Sequence, residues 1–205
     1  MTEKPKISST LMIGTLLLSV TVLGIIAVSV ITKHEHISEA KYIGPKKCAK
    51  CHEQQAAYWS ETRMAKSFEV LRPGAKAKQK EMAKLDPNKD YTHEPKCLRC
   101  HTTGYGLVGG FESFEKTPDM AGVTCEACHG AGGAYAESVM RSDRPSFLTA
   151  EARQAGLVYP PKETVCRSCH NSESPFVGMD YKFDYEERVR KGTHRHFKLK
   201  YEHGD

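Results

Sequence analysis

Aliphatic residues are scarce over most of this 205-residue chain. Hydrophobic residues make up 39% of it, but a large share of them sits in the first 32 positions, and the remainder is poor in Leu, Ile and Val. Burial of apolar surface is the dominant favourable term in folding. A large self-sufficient hydrophobic domain is therefore excluded, and something other than side chains is expected to fill the middle. No stretch alternates apolar and polar residues convincingly, so no extended sheet is expected. No basic stripe is interleaved with base-stacking aromatics, which argues against a nucleic-acid partner even though Lys and Arg (30) outnumber Asp and Glu (25). No cysteine is left over either: all eight fall into pairs.

One apolar run is present. Residues 11–32, LMIGTLLLSVTVLGIIAVSVIT, number 22 and carry no charge. About 20 apolar residues span a hydrocarbon core of about 30 Å. The run exceeds the apolar stretch of a cleaved signal peptide, although Ala27-Val28-Ser29 offers a small-x-small cleavage site. It reads as an uncleaved transmembrane anchor. Residues 1–10 then form a cytoplasmic N-terminus, 33–47 a polar linker ending at Gly44-Pro45, and 48–205 the main domain. Lys4 and Lys6 favour the N-terminus inside, but Lys33, Lys41, Lys46 and Lys47 on the far side leave the charge rule indecisive.

The cysteine pairs are Cys48/Cys51, Cys97/Cys100, Cys125/Cys128 and Cys166/Cys169. Each is followed at once by a histidine: His52, His101, His129 and His170. Four pairs could make two zinc sites, and a redox dithiol also uses Cys-x-x-Cys. Neither chemistry asks for a histidine directly after every pair. Covalent haem asks for all three residues, because two thiols add to the two vinyl groups and the histidine ligates the iron. The pattern therefore predicts four covalently attached haem c groups. The motifs begin 49, 28 and 41 residues apart, which is not a strict repeat. With about 43 residues per haem after position 32, the haems themselves form much of the core. Haem c is attached outside the cytoplasmic membrane, so the main domain is expected on the periplasmic side of a single-pass inner-membrane protein.

The rest of the chain reads as short helices and loops. Ala56, Trp59, Met64, Phe68 and Leu71 recur at helical spacing from Cys51 to Leu71, and Pro73-Gly74 ends that pattern. A Lys-rich helix is expected over 75–85. A loop is expected at 103–110 (TGYGLVGG), and a helix from the third motif through Met140. A short helix is expected at 150–157, between Pro145 and Pro160-Pro161, and a last one over about 185–200. The fold class is mostly α, loop-rich and haem-cored.

The chain resembles the tetrahaem cytochrome c-554 family. The resemblance is carried by GPKKCAKCH at 44–52, KQKEMAKLDPNKDYT at 78–92, GVTCEACHGAGG at 122–133 and YKFDYEERVRKGTHRHFKL at 181–199. It covers about 44–200, in order, and leaves out the anchor. It implies a mostly helical fold with closely packed haem pairs and a role in electron transfer, with a hydroxylamine oxidoreductase-like donor and a membrane quinone-linked or cytochrome acceptor.

The resemblance also bears on the sixth ligands. His194 matches the family's distal ligand to the fourth haem, that of His170, with His196 as the fallback. The family's distal histidine to the third haem aligns with Met64, which is the candidate for the haem of His129. The family's distal histidine to the first haem lies about ten residues past the third motif, where this chain reads GAGGAYAESVM. Met140 is the candidate there, ahead of Tyr135. The second haem, at His101, is five-coordinate in the family, unless His93 closes it. His34 and His36 read as linker residues, and His203 as an unliganded tail residue.

Three functions follow. The leading one is a membrane-anchored electron carrier needing no proton-transfer dyad or nucleophile, with Lys76, Lys78, Lys80 and Lys84 as either a docking face for an acidic partner or a solvated helix face. The second is an enzyme acting on nitric oxide, nitrite or hydroxylamine at an open iron beside His101. The third is a filament subunit stacking haem to haem, which a membrane anchor disfavours.

Overall fold

In a computed structural model of the chain, the described residues are 40–140, 147–175, 182–192, 195 and 197–204, with the side chains of 137–140 and 147 excepted. They belong to one compact unit, Glu39–Asp205. The expected anchor, 11–32, lies outside them. Among the described residues no helix is long and apolar enough to cross a membrane.

Short helices dominate, as the sparse apolar pattern predicts. They are α1 (Pro45–Ala49), α2 (Glu53–Ser60), α3 (Ala77–Met82), α4 (Pro95–His101), α5 (Cys125–His129), α6 (Gly133–Met140), α7 (Thr149–Gln154), α8 (Glu163–Arg167) and α9 (Tyr185–Lys191). Single-turn 3-10 helices cover Phe68–Leu71 and Pro118–Met120. None of these is long enough to stand alone in water, where isolated helices below about 12 residues are marginal. Tertiary contacts therefore hold them. Local signals set their ends: Pro opens α1 and α4, and the Asp184 carboxylate accepts the Glu187 N–H at 2.9 Å at the start of α9.

Several helices are shorter than their periodicity suggests. The helix expected over 51–71 stops at Ser60 and continues as turns to a 3-10 helix, so Met64 stands in a turn and not on a helix. The helix expected from the third motif to Met140 is two helices, broken where Gly130 takes a left-handed φ of 80°. The last helix ends at Lys191 because Gly192 caps it with φ 71°. The tail beyond ends in β2 (His203–Gly204), which pairs in parallel with β1 (Phe147–Leu148). Two-residue strands leave no alternation for a sequence pattern to show.

The apolar core is small. It gathers Phe68, Leu71, Tyr91, Leu98, Phe111 and Met120 around the second motif. The Phe68 ring lies 5.4 Å from that of Phe111 and 5.5 Å from that of Phe114. Among the described residues, seven buried polar side chains match the seven buried hydrophobic ones, so polar contacts do much of the tying. Lys80 is one of them: its ammonium donates to the Arg72 carbonyl at 2.6 Å and lies over the Tyr91 ring. That removes Lys80 from the expected basic docking face and leaves Lys76, Lys78 and Lys84 nearer to solvent.

Within the span expected as linker, residues 41–44 are built into the domain. The Tyr42 N–H donates to Val108 O at 3.0 Å, and the Lys41 carbonyl accepts the Gly133 N–H at 2.8 Å. The approach to the third motif is equally fixed. Trp59 Nε1 donates to Val123 O at 2.9 Å, the Val123 N–H to Met64 O at 2.9 Å and the Gly122 N–H to His101 O at 3.0 Å. Gly122 has φ 109°, and a Cβ there would strike the Ala65 carbonyl. Gly122→Ala is expected to cost about 1–3 kcal/mol through strain and displacement, read as a lower denaturation midpoint of the holoprotein. An unchanged midpoint would show that this loop yields freely.

Candidate haem site

A Cys-x-x-Cys-His sequence wound into one helical turn sets its three functional side chains at i, i+3 and i+4, on one face. The structure forms that turn at the motifs. The His52 N–H donates to Cys48 O at 2.9 Å and the His170 N–H to Cys166 O at 3.0 Å, while the second and third motifs lie within α4 and α5. All eight cysteines are thiols outside any disulfide, and all are half-buried.

Two of the motif histidines are oriented by the backbone. His101 Nδ1 lies 2.7 Å from Ser67 O, and His129 Nδ1 lies 3.1 Å from Val158 O. A carbonyl only accepts, so in each case Nδ1 carries a proton and donates, which leaves Nε2 as the nitrogen suited to ligate a metal. Burial pulls the pKa of His101 and of His170 below the ordinary imidazole value, the direction that favours the neutral imidazole a metal site uses. Phe183 stacks on His170, with 4.4 Å between ring centres and planes 8° apart.

The motifs meet in a defined order. The thiols of Cys48 and Cys125 lie close enough to interact, which with burial raises the pKa of the first and by itself lowers that of the second. Those of Cys100 and Cys169 do the same, and the proximity of Cys100 is the main cause that brings Cys169 down to about 6. Cys128, pushed up to about 11 chiefly by burial, also feels Cys166 and Cys169. Helix α5 packs against both α1 and α8, and Arg99 beside the second motif pairs with Glu173 after the fourth. The spatial series is thus first, third, fourth, second. Only pairs of thiols converge: among the described residues no three His, Cys, Asp or Glu side chains gather as a metal cluster would need. Paired thiols on a helical turn, an imidazole oriented by a backbone carbonyl beside each of two pairs, and a thin apolar core fit covalent haem.

Comparison with known proteins agrees. A family model described as cytochrome c554 and c-prime matches residues 47–130. Cytochrome c-554 of Nitrosomonas europaea is 35% identical over 185 residues, covering 79% of this chain and 78% of that protein. The chain belongs to the cytochrome c554 family. The solved reduced state of cytochrome c554 from the same organism superposes with a TM-score of 0.67 at 33% identity, over 79% of this chain and 88% of that one. As a cytochrome c554 family member the chain is a haem c protein of electron transport, and its mostly helical, loop-rich fold is the family's.

The remaining candidate residues are placed unevenly. Met64 is half-buried in the turn that carries Val123, two residues before Cys125. Met140 ends α6, and its side chain lies outside the described residues, as do His34, His36, His194 and His196. His93 is exposed before α4. Tyr135 donates to Gly130 O at 3.2 Å, close enough to Cys48, Cys125 and Glu126 for their charges to raise its pKa, after burial. His203 is not a loose tail residue: it is half-buried in β2, with its ring beside that of His52.

Sequence reasoning missed Glu126, inside the third motif. It is 1% exposed. Its carboxylate accepts the Ile43 N–H at 3.0 and 3.1 Å, the Gly44 N–H at 2.8 Å and the Gly132 N–H at 2.6 Å. It thereby clips the segment entering the first motif onto the third. The two variable positions of a haem-attachment motif carry no pattern that marks such a role.

Proposed function

We propose that this chain is a tetrahaem electron carrier anchored in the inner membrane by residues 11–32, with its haem domain on the periplasmic side. The observation that carries the tetrahaem reading is the meeting of all four motifs in one series; the anchor rests on the length and lack of charge of residues 11–32. The Cys48/Cys125 and Cys100/Cys169 contacts join two pairs, and Cys128 beside Cys166 and Cys169 joins the pairs to each other. Cys48, Cys51, Cys97, Cys100, Cys125, Cys128, Cys166 and Cys169 form the thioethers, and His52, His101, His129 and His170 are the proximal ligands. Bound haem supplies one-electron chemistry at iron. The protein's own work is to hold the attachment helices side by side, to fix the imidazole tautomers through Ser67 and Val158, and to choose the distal donors. Met64 is the distal donor at the haem of His129, and His194 at that of His170. Lys76, Lys78 and Lys84 suit an acidic donor such as a hydroxylamine oxidoreductase-like protein, and a membrane quinone-linked oxidoreductase or a second cytochrome is the acceptor.

Intact mass of the protein matured in a competent host should show four covalent haems, and the protein should stay with membranes through high-salt and alkaline washing. Fewer than three haems, or bound zinc, would defeat the tetrahaem reading. A mature N-terminus near Thr32 would defeat the anchor.

A further inference from the structure

After His129 the sequence contains four histidines: His170, which belongs to a motif, and His194, His196 and His203 in the tail. The tail crosses α2, the helix that follows the first motif. Gln55 Nε2 donates to Phe197 O at 3.1 Å, the Tyr58 ring meets that of Phe197 edge-on at 6.2 Å, and the Arg195 guanidinium stands 5.6 Å from the Tyr58 ring centre. The tail then enters β2, where backbone pairing sets His203 opposite Phe147 and Gly204 opposite Leu148. The tail is thus fixed at both α2 and β1. It brings the His203 ring to 5.7 Å from that of His52, with the planes at 84°.

Two imidazoles bound to one metal from opposite sides stand about 6 Å apart, centre to centre, given metal–nitrogen bonds of about 2.0–2.1 Å. We propose that His203 is the sixth ligand of the haem iron held by His52. The proposal rests on the tetrahaem reading above and displaces Met140, the donor the sequence offers for that iron. It makes the C-terminal tail part of the first haem site. Coordination by His203 would close that iron to small ligands and give it bis-imidazole character, which holds a haem at lower potential than a thioether does.

The test uses the full-length holoprotein as wild type, His203→Ala and His203→Met. Each is read by intact mass, by EPR with near-infrared MCD, and by carbon monoxide titration of the reduced form. All three proteins should carry the same number of haems. His203→Ala should lose one bis-imidazole low-spin signal and bind carbon monoxide at one more haem per chain than wild type. A new His/Met charge-transfer band in His203→Ala would support the proposal equally, because another donor can enter only a vacated position. His203→Met should exchange a bis-imidazole signal for a His/Met band, and this variant decides the matter if the Ala variant does not accumulate. Wild-type ligand spectra and carbon monoxide stoichiometry in the variants would overturn the proposal. A wild type without its covalent haems would instead overturn the tetrahaem reading, so the two failures are distinguishable.

Discussion

Glu126→Ala is expected to lower the stability of the holoprotein by about 3–5 kcal/mol. The substitution leaves the Ile43, Gly44 and Gly132 N–H groups without an acceptor in a site where Glu126 itself is 1% exposed. An orphaned buried donor costs about 1–3 kcal/mol, and water entering the vacated space recovers part of that. The damage should be local at first. Residues 41–44 and the start of α1 detach from α5, so the first motif loses its place beside the third. Chemical denaturation followed by haem absorbance should show the lower midpoint, and hydrogen exchange should show lost protection at Ile43, Gly44 and Gly132. Glu126→Gln keeps one acceptor oxygen but turns an NH2 toward backbone donors, so it should fall between wild type and Ala. A wild-type midpoint in Glu126→Ala would show that these hydrogen bonds contribute nothing net.

Met64→Ala is expected to abolish the methionine–iron charge-transfer band of the oxidised protein and to move one haem potential. Met64 belongs to the turn whose carbonyl receives the N–H groups of Val123 and Ser67, at 2.9 and 3.2 Å. That turn lies alongside the approach to Cys125. A thioether stabilises ferrous iron better than imidazole does, so a His/Met site at the haem of His129 would be a high-potential resting place for the electron. Axial ligands set haem potentials over roughly 0.8 V, so the shift on ligand loss should be a sizeable fraction of that range and should be visible in a potentiometric titration. Retention of the band in Met64→Ala, or its absence from wild type, would make Met64 a packing residue and assign the third haem a different distal ligand.

The sequence by itself determined the chemistry. Four Cys-x-x-Cys-His motifs that use every cysteine predict thioether haem and its proximal histidines, because those bonds depend only on residues within one helical turn. It also determined the class of fold, since a chain this short of aliphatic residues cannot build a large side-chain core, and it singled out the stretches that mark the cytochrome c554 family. Element lengths were less legible. Met64 fits a helical period yet sits in a turn, where its carbonyl accepts the Val123 N–H and the Ser67 carbonyl accepts from His101 Nδ1, so backbone acceptors that a continuing helix would use go to distant segments. Lys80 reads as solvated and is buried, because its ammonium finds the Arg72 carbonyl across a turn. Only the tertiary structure decided the order of the motifs, first, third, fourth, second, since thiol contacts such as Cys48 with Cys125 join residues far apart in the chain. It alone gave Glu126 its three backbone partners and set His203 beside His52. Each of these depends on which distant segments close over one another, and a local pattern of residues carries no trace of that closure.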